Sequence, residues 1–178
     1  MTIKYKRKQN KTAHPNKKEQ ETKDIFVLGA DTGYFSNFCD SLKTVQSSAR
    51  CSIKTAQNSL ISMPSTTDGN DLQQKDIFDN CKYVIFYAST FSFQNDVTMH
   101  LLKLYDSTVH KLVVVRETDS RQGSMSETLI RETAHKMLNE DVFQQIFGVE
   151  EKGWIPMIPF FTDKSFRDVA VLKTRRRL

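Results

Sequence analysis

Two stretches of this chain are apolar without alternation: residues 82–88, KYVIFYA, and residues 111–115, KLVVV. A strand with one face in water alternates apolar and polar side chains, whereas a continuous run needs cover on both faces. Helices supply that cover when strand and helix segments alternate along the chain, so these two runs predict neighbouring strands in the middle of a largely parallel sheet. The segments around them fit this reading. Residues 24–28, DIFVL, form a first strand, and residues 95–105 carry Val97, Met99, Leu101, Leu102 and Leu104 at spacings suited to a well-buried helix. Ser126 is placed to cap a helix with Glu127 in its first turn and Leu129, Ile130, Ala134, Met137 and Leu138 along one side.

Weaker signals complete the order. Residues 50–54 read as a short edge strand, and residues 59–63 as a second strand stopped by Pro64. Residues 72–78 suit a short helix, and residues 140–147 a second short helix after the late one, stopped by Gly148. Residues 154–161 read as the last strand, irregular or at an edge because of Pro156 and Pro159, and residues 164–173 as a closing helix. Strand, helix, two strands and three strand-helix units is the order of a P-loop GTPase domain. The expected class is therefore a three-layer α/β fold, a small-GTPase-like sheet with helices on both faces. The same order fits flavodoxin-like folds.

Charge is segregated along the 178 residues. Residues 1–22 hold seven basic side chains against Glu19 and Glu21, and the end adds Lys173, Arg175, Arg176 and Arg177. The net charge of +5 thus belongs to the two ends, and residues 23–172 are mildly acidic. Beyond Met1 and Ala13, the first 22 residues offer only Ile3, Tyr5 and Pro15 for burial. That is too little to offset the entropy of ordering, so the expected organisation is a disordered basic arm (1–22), one domain (23–172) and a basic tail (173–178). Lys4, Lys6, Arg7 and Lys8, with Arg175, Arg176 and Arg177, would suit nuclear import or nonspecific contacts to DNA phosphates. No apolar run approaches the roughly 20 residues of a membrane span, and the start has no secretory core, so a soluble intracellular protein is expected. Cys39, Cys51 and Cys81 match neither a zinc site nor a disulfide framework, and His14, His100, His110 and His135 are scattered.

The loop after the first strand, GADTGYFSNF, is where a P-loop would stand. That motif, G-x-x-x-x-G-K-[ST], wraps backbone amides around phosphates, meets their charge with lysine and holds magnesium with a hydroxyl. With Gly29 on the first glycine, Tyr34 falls on the second, Phe35 on the lysine and Ser36 on the hydroxyl. The two positions that matter most for phosphate are lost. Gly29 is expected to serve the bend, and Ser36 to cap the following helix. Tyr34 and Phe35 are expected to fill the vacated space, the alternative being contact with a partner. The magnesium-sensing D-x-x-G would fall on Ser62 to Ser65, with neither the aspartate nor the glycine. The guanine-reading [NT]-K-x-D would fall on Arg116 to Asp119, keeping only Asp119. As a flavodoxin cradle, the loop keeps Gly29, Thr32 and Gly33 but has Ala30 and Phe35 at hydroxyl positions. No catalytic or metal-binding set emerges, so neither enzymatic activity, nor a cofactor, nor a small-molecule substrate is expected.

Gly29 with the following ADTGYFSNFCDSLKT, then SLISMPSTT, YVIFYASTFSFQN and KLVVVRET, together resemble the centromere protein M family, whose members are GTPase-like subunits of the inner kinetochore that do not bind nucleotide. The aromatic-Ser-x-Gln-Asn stretch, here Phe91, Ser92, Phe93, Gln94 and Asn95, is similar to that family's, and GSMSETLIRETAHKML resembles its late helix, with Ala134 and His135 in step. The resemblance implies a noncatalytic scaffold in the nucleus, at the centromere, bound to the helical-repeat centromere protein I in an assembly with centromere proteins H and K. A second resemblance, of FSFQNDV followed by KLVVVRETD to the immunity-related GTPases, implies instead an atypical GTPase.

Overall fold

The computed structural model describes residues 23–30, 32–46, 51–55, 75–161 and 163–177. Five strands form one sheet: β1 (Lys23–Leu28), β2 (Cys51–Thr55), β3 (Tyr83–Ala88), β4 (Lys111–Glu117) and, after a two-residue pair β5 (Gly148–Val149) and β6 (Gly153–Trp154), the short β7 (Ile158–Phe160). Their order is β2-β1-β3-β4-β7, with every pairing parallel. The expected three-layer α/β fold is what the chain adopts. An order of this kind, with the first crossover going one way and the next going the other, leaves a crevice at the C-terminal ends of β1 and β3.

Side chains alternate across the sheet with the period of two that a pleated strand imposes. On one face Ile25, Val27, Ile85, Tyr87, Val113, Val115, Ile158 and Phe160 pack under α1 (Gly33–Gln46) and α7 (Lys164–Arg177). On the other face Phe26, Leu28, Val84, Phe86, Ala88 and Val114 meet a second set of helices. These are α2 (residues 75–79), α3 (Thr90–Phe93), α4 (Asp96–Lys103), α5 (Glu127–Met137) and α6 (Glu140–Phe147). The unbroken apolar runs of β3 and β4 are thus explained by cover on both sides. Each fully buried ring or branched chain, such as Phe38 and Leu42 of α1, contributes about 1.5–3 kcal/mol.

Several expected boundaries move. Helix α1 begins at Gly33, earlier than a cap at Ser36 would allow, and Thr32 is its N-cap: the Phe35 amide donates to Thr32 Oγ1 at 3.2 Å and the Ser36 amide to the Thr32 carbonyl at 3.0 Å. β4 continues past Val115 to Glu117, which puts two of the four residues assigned to a guanine loop inside a strand. The expected strand at residues 154–161 divides in two. Trp154 pairs with Gly148 in the small antiparallel hairpin, and only Ile158–Phe160 joins the sheet, at its edge, where Pro159 leaves no central ladder short of a donor. Helix α7 runs through Arg177, with Thr174 fully buried, so the basic end of the chain is the last turn of a packed helix. The strand expected at residues 59–63, the residues assigned to D-x-x-G and the whole arm 1–22 lie outside the described residues.

Candidate functional site: a strand-end crevice filled by the chain itself

Three segments meet where a doubly wound sheet would hold its ligand: the loop after β1, the turn after β3 and the turn after β4. In the first, the Phe35 ring folds back from α1 over Gly29 and is 3% exposed. A Cβ built on Gly29 would lie 2.5 Å from the Phe35 ring edge and 3.2 Å from the Tyr87 Cβ. Gly29 is not among the positive-φ glycines of the described residues, Gly123, Gly148 and Gly153, so the bend expected of it is not the reason for it. A side chain is absent here because an aromatic ring occupies its space. Phe35 and Tyr87 meet edge-on at 5.7 Å, and behind them Phe38 is tilted against Tyr87 and edge-on to Phe160.

The backbone of the loop is equally committed. The Ala30 amide, one of those a phosphate would need, donates to Ser92 Oγ at 3.3 Å, and the Thr32 amide donates to the Ala30 carbonyl at 2.9 Å. Ser92, fully buried, donates its own hydroxyl proton to the Tyr87 carbonyl at 2.6 Å and lies 2.9 Å from Ser89 Oγ, the cap of α3. Thr98 of α4 donates to the Gly29 carbonyl at 3.3 Å. The FSFQN segment therefore laces the β3 turn to the β1 loop: Ser92 bridges them, and Asn95 caps α4 through Thr98.

The end of β4 holds a carboxylate where an anionic ligand would be sought. Glu117 has no exposed surface. Its Oε1 accepts from the Thr118 and Asp119 amides, both at 2.7 Å, and its Oε2 accepts from the Tyr87 hydroxyl. Two successive amides form the kind of concavity that binds anions, and here the chain's own side chain fills it. Burial first, and then the bond to Glu117, pushes the Tyr87 hydroxyl well above its ordinary range, which keeps it a proton donor. Asp119, the one residue kept from the guanine motif, is also engaged. Its Oδ1 accepts from the Arg121 amide and Nε, both at 3.0 Å, and its Oδ2 from Arg121 Nη2 at 2.6 Å. Those bonds hold its carboxyl below the usual range.

Of the residues singled out in the sequence, Gly29 and Phe35 are brought together, whereas Ser36 is exposed on α1. The side chains of Tyr34 and Arg175 lie outside the described ones, as do Lys4, Lys6, Arg7 and Lys8. Arg176 and Arg177 are exposed at the end of α7, and Arg177 Nη1 donates to the Pro156 carbonyl at 2.6 Å. Sequence reasoning missed Glu117 and Ser92. The signal for Glu117 was an acidic residue in step with an apolar strand; for Ser92 it was a hydroxyl between two phenylalanines.

Three further candidates for chemistry, Cys39, Cys81 and His110, are buried. Cys39 and Cys81 are buried thiols outside any disulfide, and burial pushes the Cys81 thiol up, away from reactivity. His110 Nδ1 lies 2.7 Å from the Cys81 carbonyl, beneath the Phe78 ring. Among the described residues no group of His, Cys, Asp and Glu could hold a metal ion, and no helix is long and apolar enough to cross a membrane.

Neither a protein-family model nor a curated protein matches the sequence. Among solved structures the chain is similar to a conserved protein from Enterococcus faecalis V583, with a TM-score of 0.51 and 11% identity over 89% of this chain and 100% of that one. At that identity the likeness extends to the fold alone.

Proposed function

We propose that this protein is a noncatalytic, pseudo-GTPase subunit of the inner kinetochore, which acts in the nucleus by binding a helical-repeat partner of the centromere protein I type together with centromere proteins H and K. The observation that supports the noncatalytic half is the Phe35 ring seated on Gly29, with the Ala30 amide given to Ser92. A triphosphate in this loop would have to displace a buried ring and break a buried hydrogen bond, with no lysine to offset its charge. The kinetochore half rests on the resemblance of the Gly29 loop, the FSFQN stretch and the late helix to centromere protein M. A domain without nucleotide-driven switching can offer a partner one constant surface.

Titration calorimetry with GTP and magnesium should register no binding, and protein purified under native conditions should release no nucleotide on heating. A micromolar affinity for GTP would overturn the noncatalytic reading and favour an atypical GTPase. Co-expression with centromere proteins I, H and K should yield a complex that survives size-exclusion chromatography. Elution of the chain apart from all three would overturn the kinetochore reading.

A further inference from the structure

Away from the strand ends, α5, α6 and the β5–β6 hairpin enclose an open groove of about 890 Å³. Its shape is set by backbone. Gly148 and Gly153 have φ of 83° and 90°, and a Cβ on Gly148 would lie 2.9 Å from the Gly153 carbonyl oxygen. The hairpin is therefore tight and holds Trp154 against the helices. One wall is a face of α5 on which Thr128, Arg131, Glu132 and His135 recur at helical spacing, giving a length of about 12 Å from Thr128 to Lys136 at 1.5 Å rise per residue.

The groove combines an aromatic surface with unbalanced negative charge. The Arg131 guanidinium lies 5.0 Å from the Trp154 ring and is held there by Glu127 at 3.1 Å, while Phe143 meets Trp154 edge-on at 6.2 Å. Trp154 nevertheless stays 38% exposed, and the adjacent Ile155 41%. The lining holds two cations, Arg131 and Lys136, against four carboxylates, Glu132, Glu140, Glu150 and Glu151. Glu140 pairs with His135 at 3.0 Å, whereas Glu132, Glu150 and Glu151 are exposed and form no ion pair among the described residues.

We propose that this groove docks a basic amphipathic helix of a partner protein. Its apolar residues would pack against Trp154 and Val149, and its lysines or arginines would face Glu132, Glu150 and Glu151. A partly exposed tryptophan in a preformed groove is the kind of anchor on which protein interfaces concentrate their energy. The three carboxylates would repel nucleic acid and acidic peptides, which selects against both by charge alone. The length of the α5 face accommodates about two turns of helix. The proposal is independent of the state of the nucleotide crevice and of which complex the protein joins.

Trp154 is the only tryptophan of the chain, so its fluorescence reports on this groove in the full-length protein. The probe is a synthetic helical peptide of about four turns with leucines along one side and lysines flanking them, compared with the same peptide carrying glutamates in place of lysines. The lysine peptide should change Trp154 emission saturably, with an affinity that falls as salt rises. The triple variant Glu132→Lys, Glu150→Lys, Glu151→Lys, all at exposed positions, should keep its melting temperature and lose affinity by about tenfold or more. An absent response, an equal response to the glutamate peptide or to a DNA duplex, or unchanged affinity in the triple variant would overturn the proposal. A Trp154 signal that depends on protein concentration without peptide would also overturn it, by showing a second copy as the occupant.

Discussion

The strand-end crevice and the α5–α6 groove are made of the same materials, aromatic rings beside carboxylates, and reach opposite ends. In the crevice, Glu117 is wholly buried and takes three donors from its own chain, while Phe35 and Tyr87 pack edge-on with no room even for a Cβ on Gly29. In the groove, Glu132, Glu150 and Glu151 stand in water and Trp154 is only partly covered. The difference lies in where the donors come from. The crevice closes because the amides of Ala30, Thr118 and Asp119, at the ends of β1 and β4, already meet side chains of the same molecule. The groove supplies acceptors and an aromatic surface, and its own cations, Arg131 and Lys136, form no ion pair with Glu132, Glu150 or Glu151 among the described residues.

If that contrast is right, substitutions in the crevice should act on folding and those in the groove should not. The largest effect is expected from Phe35→Ala, about 3–5 kcal/mol in chemical denaturation, as for other buried phenylalanines. Gly29→Ala should cost about 1–3 kcal/mol, because its new methyl meets the Phe35 ring. Placed together, the two should cost less than their sum by about 0.5–3 kcal/mol, since removing the ring makes room for the methyl. Strict additivity would mean that the ring does not sit on Gly29. Glu150→Lys in the groove should stay within about 0.5 kcal/mol of the parent.

The next effect sharpens the role of the buried carboxylate. Tyr87→Phe removes the donor to Glu117 Oε2 and keeps the ring, so about 1–3 kcal/mol should be lost at neutral pH. Its pH dependence has a definite sign. Tyr87 has a raised pKa in the folded protein, so its contribution is full below about pH 10, the unfolded value, and declines as pH rises beyond it, when only the unfolded state has released the proton. Cys81 and Tyr105, raised chiefly by burial, add to the same alkaline decline. Thermal melts from pH 8 to 11 should therefore fall less steeply for Tyr87→Phe than for the parent. An identical slope would show that the hydroxyl ionises as freely in the folded state as in water.

The parts of this architecture that were legible in the sequence are those fixed by periodicity. The unbroken runs in β3 and β4 announced strands covered on both faces, and Ser126 announced the start of α5, because burial and capping are local requirements. What escaped depends on contacts far apart in the chain. Nothing near Ser92 says that its hydroxyl will take an amide 62 positions earlier, and nothing near Glu117 says that Tyr87 will meet it across a strand pairing. The filling of the β1 loop lay between these cases. In the sequence, a phenylalanine at the lysine position argued against a phosphate, and only the folded loop showed that its ring rests on Gly29.

The smallest prediction tests where α1 begins, on which the closure of the crevice depends. Thr32 Oγ1 accepts from the Phe35 amide, so Thr32→Ala should cost about 0.5–2 kcal/mol, while Ser36→Ala, within the first turn, should change stability by no more than about 0.5 kcal/mol. The comparison matters because Gly33 to Phe35 belong to the helix only if Thr32 caps it. Were Ser36 the true cap, the larger loss would follow Ser36→Ala, residues 33–35 would be loop, and the backbone that aims the Phe35 ring at Gly29 would be free to move. Amide hydrogen exchange at Phe35 and Ser36 separates the two cases. Protection of both in the parent, reduced by Thr32→Ala and kept in Ser36→Ala, is the result expected when a helix cap holds the ring in place.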